Sequence, residues 1–319
     1  MFSITVENFY GKERIKLFNP GTGEYLCIIP AFGGNIIELA LSKNDTLHHV
    51  IAGDETLETL SGIKSNSYRG AKLSPFPNRI NNGKYAFEGK EHQLEQNNPP
   101  HALHGLCWNL PFTVKAELVT DSSAMIILQA DYNSLHKSYP FIYHIEIEYT
   151  LEENNFKCLT KILNTSEQSI PIGDGWHPYF TTGSKVDNLK LQLPPNKQIE
   201  LGNNMIPTGN YLPEKLFESP TLIGNTQLDH CFELDATTER VETILTDGQK
   251  NISIVIWQQT GERGYKFLQA YTPPDRNSIA IEPMSCAPDA FNNKKGLIVL
   301  SPKESVEFCF GIYLTLPSP

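Results

Sequence analysis

An eleven-residue alternation of apolar and polar side chains constrains the fold of this chain more than any other feature. From Phe141 to Leu151, large apolar residues occupy every second position, and from His144 onward polar or charged residues occupy the positions between them. Side chains on a strand point alternately to opposite faces, whereas a helix would scatter the same apolar residues around its circumference. The segment is therefore predicted to be a β-strand with one face on a core and the other towards water.

A second alternation near the C-terminus predicts another long strand. Its apolar positions are Val306, Phe308, Phe310, Ile312, Leu314 and Leu316. Both patterns have the period of two that is typical of a half-buried strand in an antiparallel sheet.

Two dipeptides predict hairpins. Asp247-Gly248 separates Val241–Leu245 from Ile252–Trp257, and Glu88-Gly89 separates Tyr85–Phe87 from Glu91–Leu94. Glycine in these positions would supply the positive φ that a tight two-residue turn requires.

Helical periodicity is confined to Asp54–Leu60, which predicts one or two turns. The 22 glycines and 22 prolines are spread along the chain, with no low-complexity linker and no detectable repeat. The length of 319 residues permits either one large β domain or two domains. We interpret residues 1–319 as a single all-β domain, a large antiparallel β-sandwich with few short helices.

Composition excludes several classes of partner. A net charge of −10 argues against nucleic acid and against anionic membrane surfaces. The N-terminal residues lack the pattern of a secretory signal, and no apolar run approaches the length of a membrane span. The six cysteines contain no CxxC pair, which favours reduced, mostly buried thiols. We therefore expect a cytoplasmic protein.

Polar residues that could carry chemistry are concentrated in a few segments rich in turn-formers and aromatics. Four of these segments are prominent and one is weaker: Ser74–Ile80, His101–Gly105, Gly175–Phe180, Ile279–Met284 and, weaker, Leu228–Phe232.

Taken together and in this order, the segments resemble the aldose 1-epimerase (galactose mutarotase) family. The matching elements are Asn78-Arg79-Ile80 followed by Gly83-Lys84-Tyr85, Leu103-His104-Gly105, His177-Pro178-Tyr179-Phe180, Asp229-His230 and Glu282-Pro283-Met284. The resemblance extends over nearly the whole chain.

The resemblance implies a galactose mutarotase-like supersandwich with a sugar site in an open cleft on one sheet. It implies that His177 acts as general acid and Glu282 as general base. Arg79, His104 and Asp229 would bind sugar oxygens, and Asn78 belongs to the same motif as Arg79. Leu106, and Thr181-Thr182 after Phe180, depart from the galactose-mutarotase pattern, and we expect both differences to border the pocket and to affect sugar preference.

The chemistry of anomer exchange supports a histidine and a carboxylate independently of the resemblance. Ring opening removes a proton from the C1 hydroxyl while the ring oxygen gains one, which suits a carboxylate and an imidazole. In the stretch before Pro283, Ala280 shares a strand face with Glu282 and would leave room for a ligand. We expected the proton-carrying atoms of His177 and Glu282 to flank one cleft at about 5–8 Å, with two hydrogen bonds and the sugar between them.

Several alternatives stay open at this stage. His101 and His104 form an HxxH pair, but no third ligand is obvious, so we predict no metal and no cofactor. A hexose-6-phosphate 1-epimerase would need cations such as Arg69 and Lys72 beside Arg79. A non-catalytic sugar-binding module on the same scaffold is a third possibility.

We expect a small sugar as the partner and a monomer or homodimer as the assembly. Trp108, Trp176 and Phe76 are candidates for apolar faces against the sugar.

Overall fold

Antiparallel β-strands make up most of the computed structural model, which describes residues 1–61, 67–213, 215–235 and 237–317. In the first half of the chain the strands are β1 Ser3–Phe9, β2 Lys12–Phe18, β3 Tyr25–Ile29, β4 Asn35–Lys43, β5 Thr46–Ala52, β6 Lys72–Leu73, β7 Arg79–Ile80, β8 Lys84–Phe87, β9 Lys90–Gln93, β10 Ala102–Leu103, β11 Thr113–Val119, β12 Ser123–Asn133, β13 Ile142–Glu152 and β14 Asn155–Asn164. In the second half they are β15 Ile170–Ile172, β16 Gly175–Trp176, β17 Tyr179–Phe180, β18 Lys190–Gln192, β19 Asn196–Leu201, β20 Pro207–Tyr211, β21 Thr221–Leu222, β22 Asp229–Leu234, β23 Arg240–Asp247, β24 Ile252–Gln259, β25 Phe267–Tyr271, β26 Ile279–Met284, β27 Ile298–Leu300 and β28 Ser305–Thr315.

Two large sheets carry most of these strands. The first has the order β1-β2-β3-β4-β5-β17-β26-β25-β22-β19-β20, with β16 joined to β26 and β6. The second has the order β11-β12-β13-β14-β28-β24-β23-β18-β21. Buried apolar residues from both sheets form one core cluster, so the sheets are stacked as the sequence predicted. The assignment of residues 1–319 to a single domain stays a prediction.

The two alternating segments are the central strands of the second sheet. Strand β13 pairs with β12 and β14, and β28 pairs with β14 and β24. Along β13 the predicted apolar face is buried at every second residue. The β28 prediction holds through Leu314, whereas Leu316 lies beyond the strand and is 42% exposed.

One predicted hairpin turn is confirmed and the other has a different geometry. Glu88 and Gly89 both have positive φ and join Phe87 directly to Lys90. After Asp247, however, four residues intervene before Ile252, and the residue with positive φ is Asn251 rather than glycine. The Asp247 carboxylate accepts hydrogen bonds from two backbone N–H groups of this loop, which stabilises the wider turn.

Helices are minor elements. The described chain contains α1 Leu57–Leu60, inside the predicted segment, α2 Ala290–Asn293, which was not predicted, and 3₁₀ turns at Asn81–Gly83 and Val186–Asn188. Across the described residues, no helix has the length and apolar character needed to cross a bilayer. All six cysteines are free and buried, as predicted.

Short strands in the middle of the first sheet position the presumed site. Strand β16 pairs with β6 and with the end of β26, and β17 pairs with the start of β26 and with β5. Strand β26 continues through Pro283 to Met284. Pro283 lies opposite the residues that connect β16 to β17. Because this part of β26 is not paired with either short strand, the missing N–H of the proline is tolerated there.

Candidate active site

The residues named from the sequence converge on one cavity of about 370 Å³ in the first sheet. Its polar and aromatic lining consists of Ser67, Arg69, Asn78, Arg79, Asn98, His104, His177, Tyr179, Asp229, Gln269, Tyr271 and Glu282. All six predicted site residues are in this lining, although more than 200 residues separate Asn78 from Glu282 in the sequence.

Backbone pairing holds His177 and Glu282 on adjacent segments. His177 lies between β16 and β17, where its N–H donates to the carbonyl of Ala71 at 3.0 Å and its carbonyl accepts from Gly70 at 2.9 Å. Gly70 has a φ of 66°, and a Cβ there would meet the carbonyl oxygen of Ile36 at 2.0 Å. Only glycine fits this contact, so Gly70 fixes the segment that clamps His177.

The imidazole and the carboxyl are closer than expected. Nε2 of His177 lies 3.3 Å from Oε1 of Glu282, so the expected separation of about 5–8 Å is wrong. That expectation placed the sugar between the two groups, whereas the structure places them side by side on one wall. The arrangement still suits anomer exchange, because the hydroxyl oxygen and the ring oxygen are both bonded to C1.

Both groups keep an unused polar atom. Nδ1 of His177 and Oε2 of Glu282 are buried and accept or donate no hydrogen bond within the described part of the chain. Buried polar atoms in folded proteins are nearly always paired. These two atoms lack the partner that such buried atoms normally have.

Burial shifts the two pKa values in opposite directions. Desolvation lowers the pKa of His177 to about 3, and Arg69 adds to the effect. Desolvation raises the pKa of Glu282 well above its ordinary value, with Asp229 raising it further and Arg79 opposing. Burial therefore favours the uncharged form of each group, a neutral imidazole and a protonated carboxyl.

A closed hydrogen-bonded network forms the wall that carries Arg79. Asn78 Nδ2 donates to Gln269 at 3.2 Å, and Gln269 Nε2 donates to Asp229 at 2.5 Å. Nη1 of Arg79 donates a hydrogen bond to Asn78 at 3.3 Å. Nη2 of Arg79 forms an ion pair with Asp229, at 3.9 Å. The network fixes donors and acceptors at the cavity surface, as a site for sugar hydroxyls requires.

His104 presents a hydrogen-bond donor to the same cavity. Its Nδ1 accepts from the backbone N–H of Asn78 at 3.3 Å, so the neutral ring carries its hydrogen on Nε2. Desolvation lowers the pKa of His104 well below its ordinary value, with His177 and Arg79 adding to the effect. The next residue, Gly105, has a φ of 73°, and a Cβ there would meet the Ser74 carbonyl at 2.4 Å.

The donor set fits a metal poorly. His104, His177 and Glu282 offer ligand atoms within 4.8 Å of one another. A metal would need a free lone pair on His104, but Nδ1 accepts a backbone hydrogen bond and Nε2 carries the hydrogen. His101 uses both ring nitrogens elsewhere, on Asn82 and Asn204, so the HxxH pair does not form a site.

Sequence reasoning missed Gln269, Tyr179 and Tyr271 as lining residues. Gln269 is paired in register with Glu282 on the neighbouring strand. Tyr179 and Tyr271 flank Ala280 in register, and their rings meet at 6.4 Å. Ala280 lies between these two tyrosines and is not itself in the lining, so the room that it was expected to leave beside Glu282 stays a prediction. The amide of Gln269 within the apolar stretch Phe267–Tyr271 was the only local signal, and such a signal does not distinguish a cavity residue from a core amide.

The aromatic residues proposed as sugar platforms lie elsewhere. Trp176 and Phe76 are fully buried in the core, because the space between two stacked sheets demands large apolar side chains. Trp108 lines a separate cavity of about 200 Å³ together with Leu106. The aromatic residues that do line the candidate site are Tyr179 and Tyr271.

The two departures from the galactose-mutarotase pattern do not line this cavity. Leu106 belongs to the Trp108 cavity, and Thr181 and Thr182 bond to the carbonyl of Asn277 and to Asp247. The expectation that they border the pocket is wrong, because the chain turns away from the cavity after each motif.

Lys72 is also outside the site. Its side chain has no solvent exposure and forms an ion pair with Asp174 and a hydrogen bond to Thr160 in the core. It is therefore unavailable to a phosphate group, contrary to the role that the hexose-6-phosphate alternative gave it.

Known proteins of similar sequence and fold match nearly the whole chain. The family model described as aldose 1-epimerase matches residues 15–312. An uncharacterized protein of Escherichia coli, YihR, is 28% identical over 300 residues, which cover 91% of each chain.

Two solved structures have the same fold over nearly all of both chains. A galactose mutarotase-like protein from Clostridium acetobutylicum has a TM-score of 0.87 with 21% identity over 99% of each chain. The galactose 1-epimerase of Lactobacillus acidophilus has a TM-score of 0.79 with 17% identity, over 100% of this chain and 99% of that one. The chain therefore belongs to the aldose 1-epimerase family.

Proposed function

We propose that this protein is an isomerase that interconverts the α and β anomers of a free hexose by acid and base catalysis. The observation that carries the proposal is the placement of His177 Nε2 and Glu282 Oε1 3.3 Å apart on the wall of one cavity. Each group has a second buried atom that no described residue engages.

The proposed reaction begins with the pair as imidazolium and carboxylate. Glu282 accepts the proton of the C1 hydroxyl while His177 donates its proton to the ring oxygen, and the C1–O5 bond breaks. The product is an open-chain aldehyde with a neutral imidazole and a protonated carboxyl. Rotation about C1–C2 and reversal of both transfers then closes the ring on the other face.

The pair gains and loses no proton over the cycle. Burial favours the uncharged form, neutral His177 and protonated Glu282, which is the form that accompanies the open-chain sugar. The site therefore stabilises the state that ring opening must reach, and each positioned group contributes about 10²–10⁴ in rate.

The surrounding residues supply binding and orientation in this proposal. Arg79 offers a rigid fork of donors, and Asp229 accepts from sugar hydroxyls while held by Gln269. The Nε2–H of His104 donates to a sugar oxygen close to His177, whose ring centre is 5.0 Å away.

The buried free cysteines support a further part of the proposal, that the enzyme works in the cytoplasm. Its partner is a small sugar, and a monomer or homodimer is the proposed assembly. The phosphate alternative loses support because Lys72 is buried with Asp174.

Anomer exchange on the unmodified protein tests the proposal against a non-catalytic sugar-binding module. Freshly dissolved α-glucose and α-galactose are followed by polarimetry with and without the protein, and binding is measured by calorimetry. We expect exchange well above the spontaneous rate for at least one sugar. Binding without any acceleration would identify a binding module instead.

A further inference from the structure

Arg69 is a cation in the cavity for which the proposed proton transfers have no use. Its backbone precedes Gly70, which donates to the His177 carbonyl, so the residue is held beside the general acid. Its guanidinium lies 4.2 Å from the centre of the Tyr179 ring. The Tyr179 ring in turn stacks on His177 at 4.9 Å with an interplanar angle of 8°. The three side chains form a stack along one wall.

Neutral groups fix the guanidinium in place. Nη1 donates to the carbonyl of Ala52 at 3.3 Å and to the hydroxyl of Ser278 at 3.1 Å. Within the described residues, Arg69 forms no ion pair with a carboxylate, whereas Arg79 faces Asp229. An arginine has five N–H donors, and these two bonds engage only one of its nitrogens.

A carboxylate outside the cavity lining interacts electrostatically with Arg69. Burial raises the pKa of Asp54 to about 6, and Arg69 opposes that rise. Asp54 is not among the lining residues and has its own bond to Thr59.

The two arginines of the described lining differ in their partners. Arg79 lies 3.9 Å from the Asp229 carboxylate, whereas no carboxylate of the described lining forms an ion pair with Arg69. Arg69 is therefore the lining cation that keeps donors for an anionic ligand. A cation facing the cavity in a protein of net charge −10 is a local property of the site.

We propose, on the basis of the function proposed above, that Arg69 determines specificity by binding an anionic substituent of the sugar. A planar guanidinium that neutral groups hold through one nitrogen can bind a carboxylate or phosphate through two parallel hydrogen bonds. A carboxylate is the better match, because a phosphate dianion would use a second cation and Lys72 is sealed in the core. The inferred substrate class is a hexuronic acid.

Steady-state anomer exchange on three sugars tests this assignment. Glucose, glucuronate and glucose 6-phosphate are compared with the unmodified protein, Arg69→Gln, and Arg240→Gln as a control for an arginine outside the cavity. We expect kcat/KM for glucuronate to exceed that for glucose, and Arg69→Gln to lower the glucuronate value by about 10- to 100-fold through KM. The glucose value should fall by a clearly smaller factor than the glucuronate value in Arg69→Gln, and Arg240→Gln should match the unmodified protein for all three sugars.

The outcomes separate the two proposals. A preference for glucose 6-phosphate that is lost in Arg69→Gln would keep the anionic site and replace carboxylate by phosphate. A preference for glucose, or equal losses on all three sugars, would overturn the assignment while leaving the epimerase proposal intact. No exchange on any sugar would remove both.

Discussion

His177 and Glu282 show how burial shifts the protonation of the proposed catalytic pair. In water at neutral pH a carboxyl is ionised and an imidazole is mostly neutral. In this cavity desolvation lowers the pKa of the imidazole and raises that of the carboxyl. Burial therefore favours a one-proton state of the pair in which both groups are uncharged, and in the proposed reaction this proton is moved between the two sugar oxygens.

The pH profile of kcat should reflect this arrangement. Because the pKa of His177 is lowered to about 3, the one-proton state of the pair persists as the pH falls through 6.5. We therefore expect kcat to stay within about twofold between pH 7 and pH 5, with no acid limb at the ordinary histidine pKa of about 6.5. The measurement is polarimetry in overlapping buffers.

Spontaneous exchange in each buffer is subtracted, and circular dichroism checks that the protein stays folded. An acid limb with its midpoint near pH 6.5 would mean that His177 titrates as an exposed imidazole does, and it would contradict the burial argument.

Residues in motifs could be identified from the sequence, and residues in ordinary strands could not. His104, His177 and Glu282 stand among prolines, glycines and aromatics that mark them as unusual. Gln269 lies within Phe267–Tyr271, where nothing local distinguishes a cavity residue from a core amide. Its role depends on its pairing with Glu282, which only the sheet register reveals.

At the level of elements, a buried ion pair joins the short strands beside the site. Lys72 on β6 and Asp174 just before β16 have no solvent exposure, and Tyr265 donates to the same carboxylate oxygen at 2.7 Å. Asp174 also bonds through its backbone N–H to the Ser285 hydroxyl, next to the end of β26. The pair thus connects the segments that carry His177 and Glu282.

Removing one member of this pair should destabilise the protein severely. Lys72→Met leaves the Asp174 carboxyl buried without its cation, and we expect a loss of about 3–5 kcal/mol in the free energy of unfolding. The double variant Lys72→Met with Asp174→Asn removes both charges and should recover most of that loss. Urea unfolding of the single and double variants measures the difference.

A surface pair serves as the control for this experiment. Lys161→Met should cost less than about 1 kcal/mol, because Lys161 and Glu307 are both about half exposed. A double core variant as unstable as Lys72→Met would show that the cost arises from packing and not from the unpaired charge.

The alternation of apolar and polar residues predicted the long strands but not the short ones. Strand β13 has eleven residues and its alternation predicts it directly, whereas β6, β16 and β17 have two residues each. Two residues are too few to show an alternation of apolar and polar side chains. These strands are defined by their pairing with neighbouring strands, which the sequence does not reveal. The site is built on them.

At the scale of the whole molecule, the first sheet brings distant segments together. Its order places β17 beside β26 and β26 beside β25, although about 100 residues separate the first two along the chain. Alternation predicts that strands exist and which face is buried, but not which strand lies next to which. The resemblance to a known family supplied the supersandwich and the cleft on one sheet, whereas the strand order and the cavity's dimensions came only from the structure.

Turnover of Glu282→Gln tests the central claim most directly. Glutamine keeps the shape of the side chain but cannot accept a proton, so the pair loses its base. With Glu307→Gln as a surface control, we expect Glu282→Gln to lower kcat for anomer exchange by about 10²-fold or more while sugar still binds, and His177→Asn to act similarly. Unchanged exchange rates in both variants, beside an active unmodified protein, would contradict the assignment of His177 and Glu282 as its acid and base.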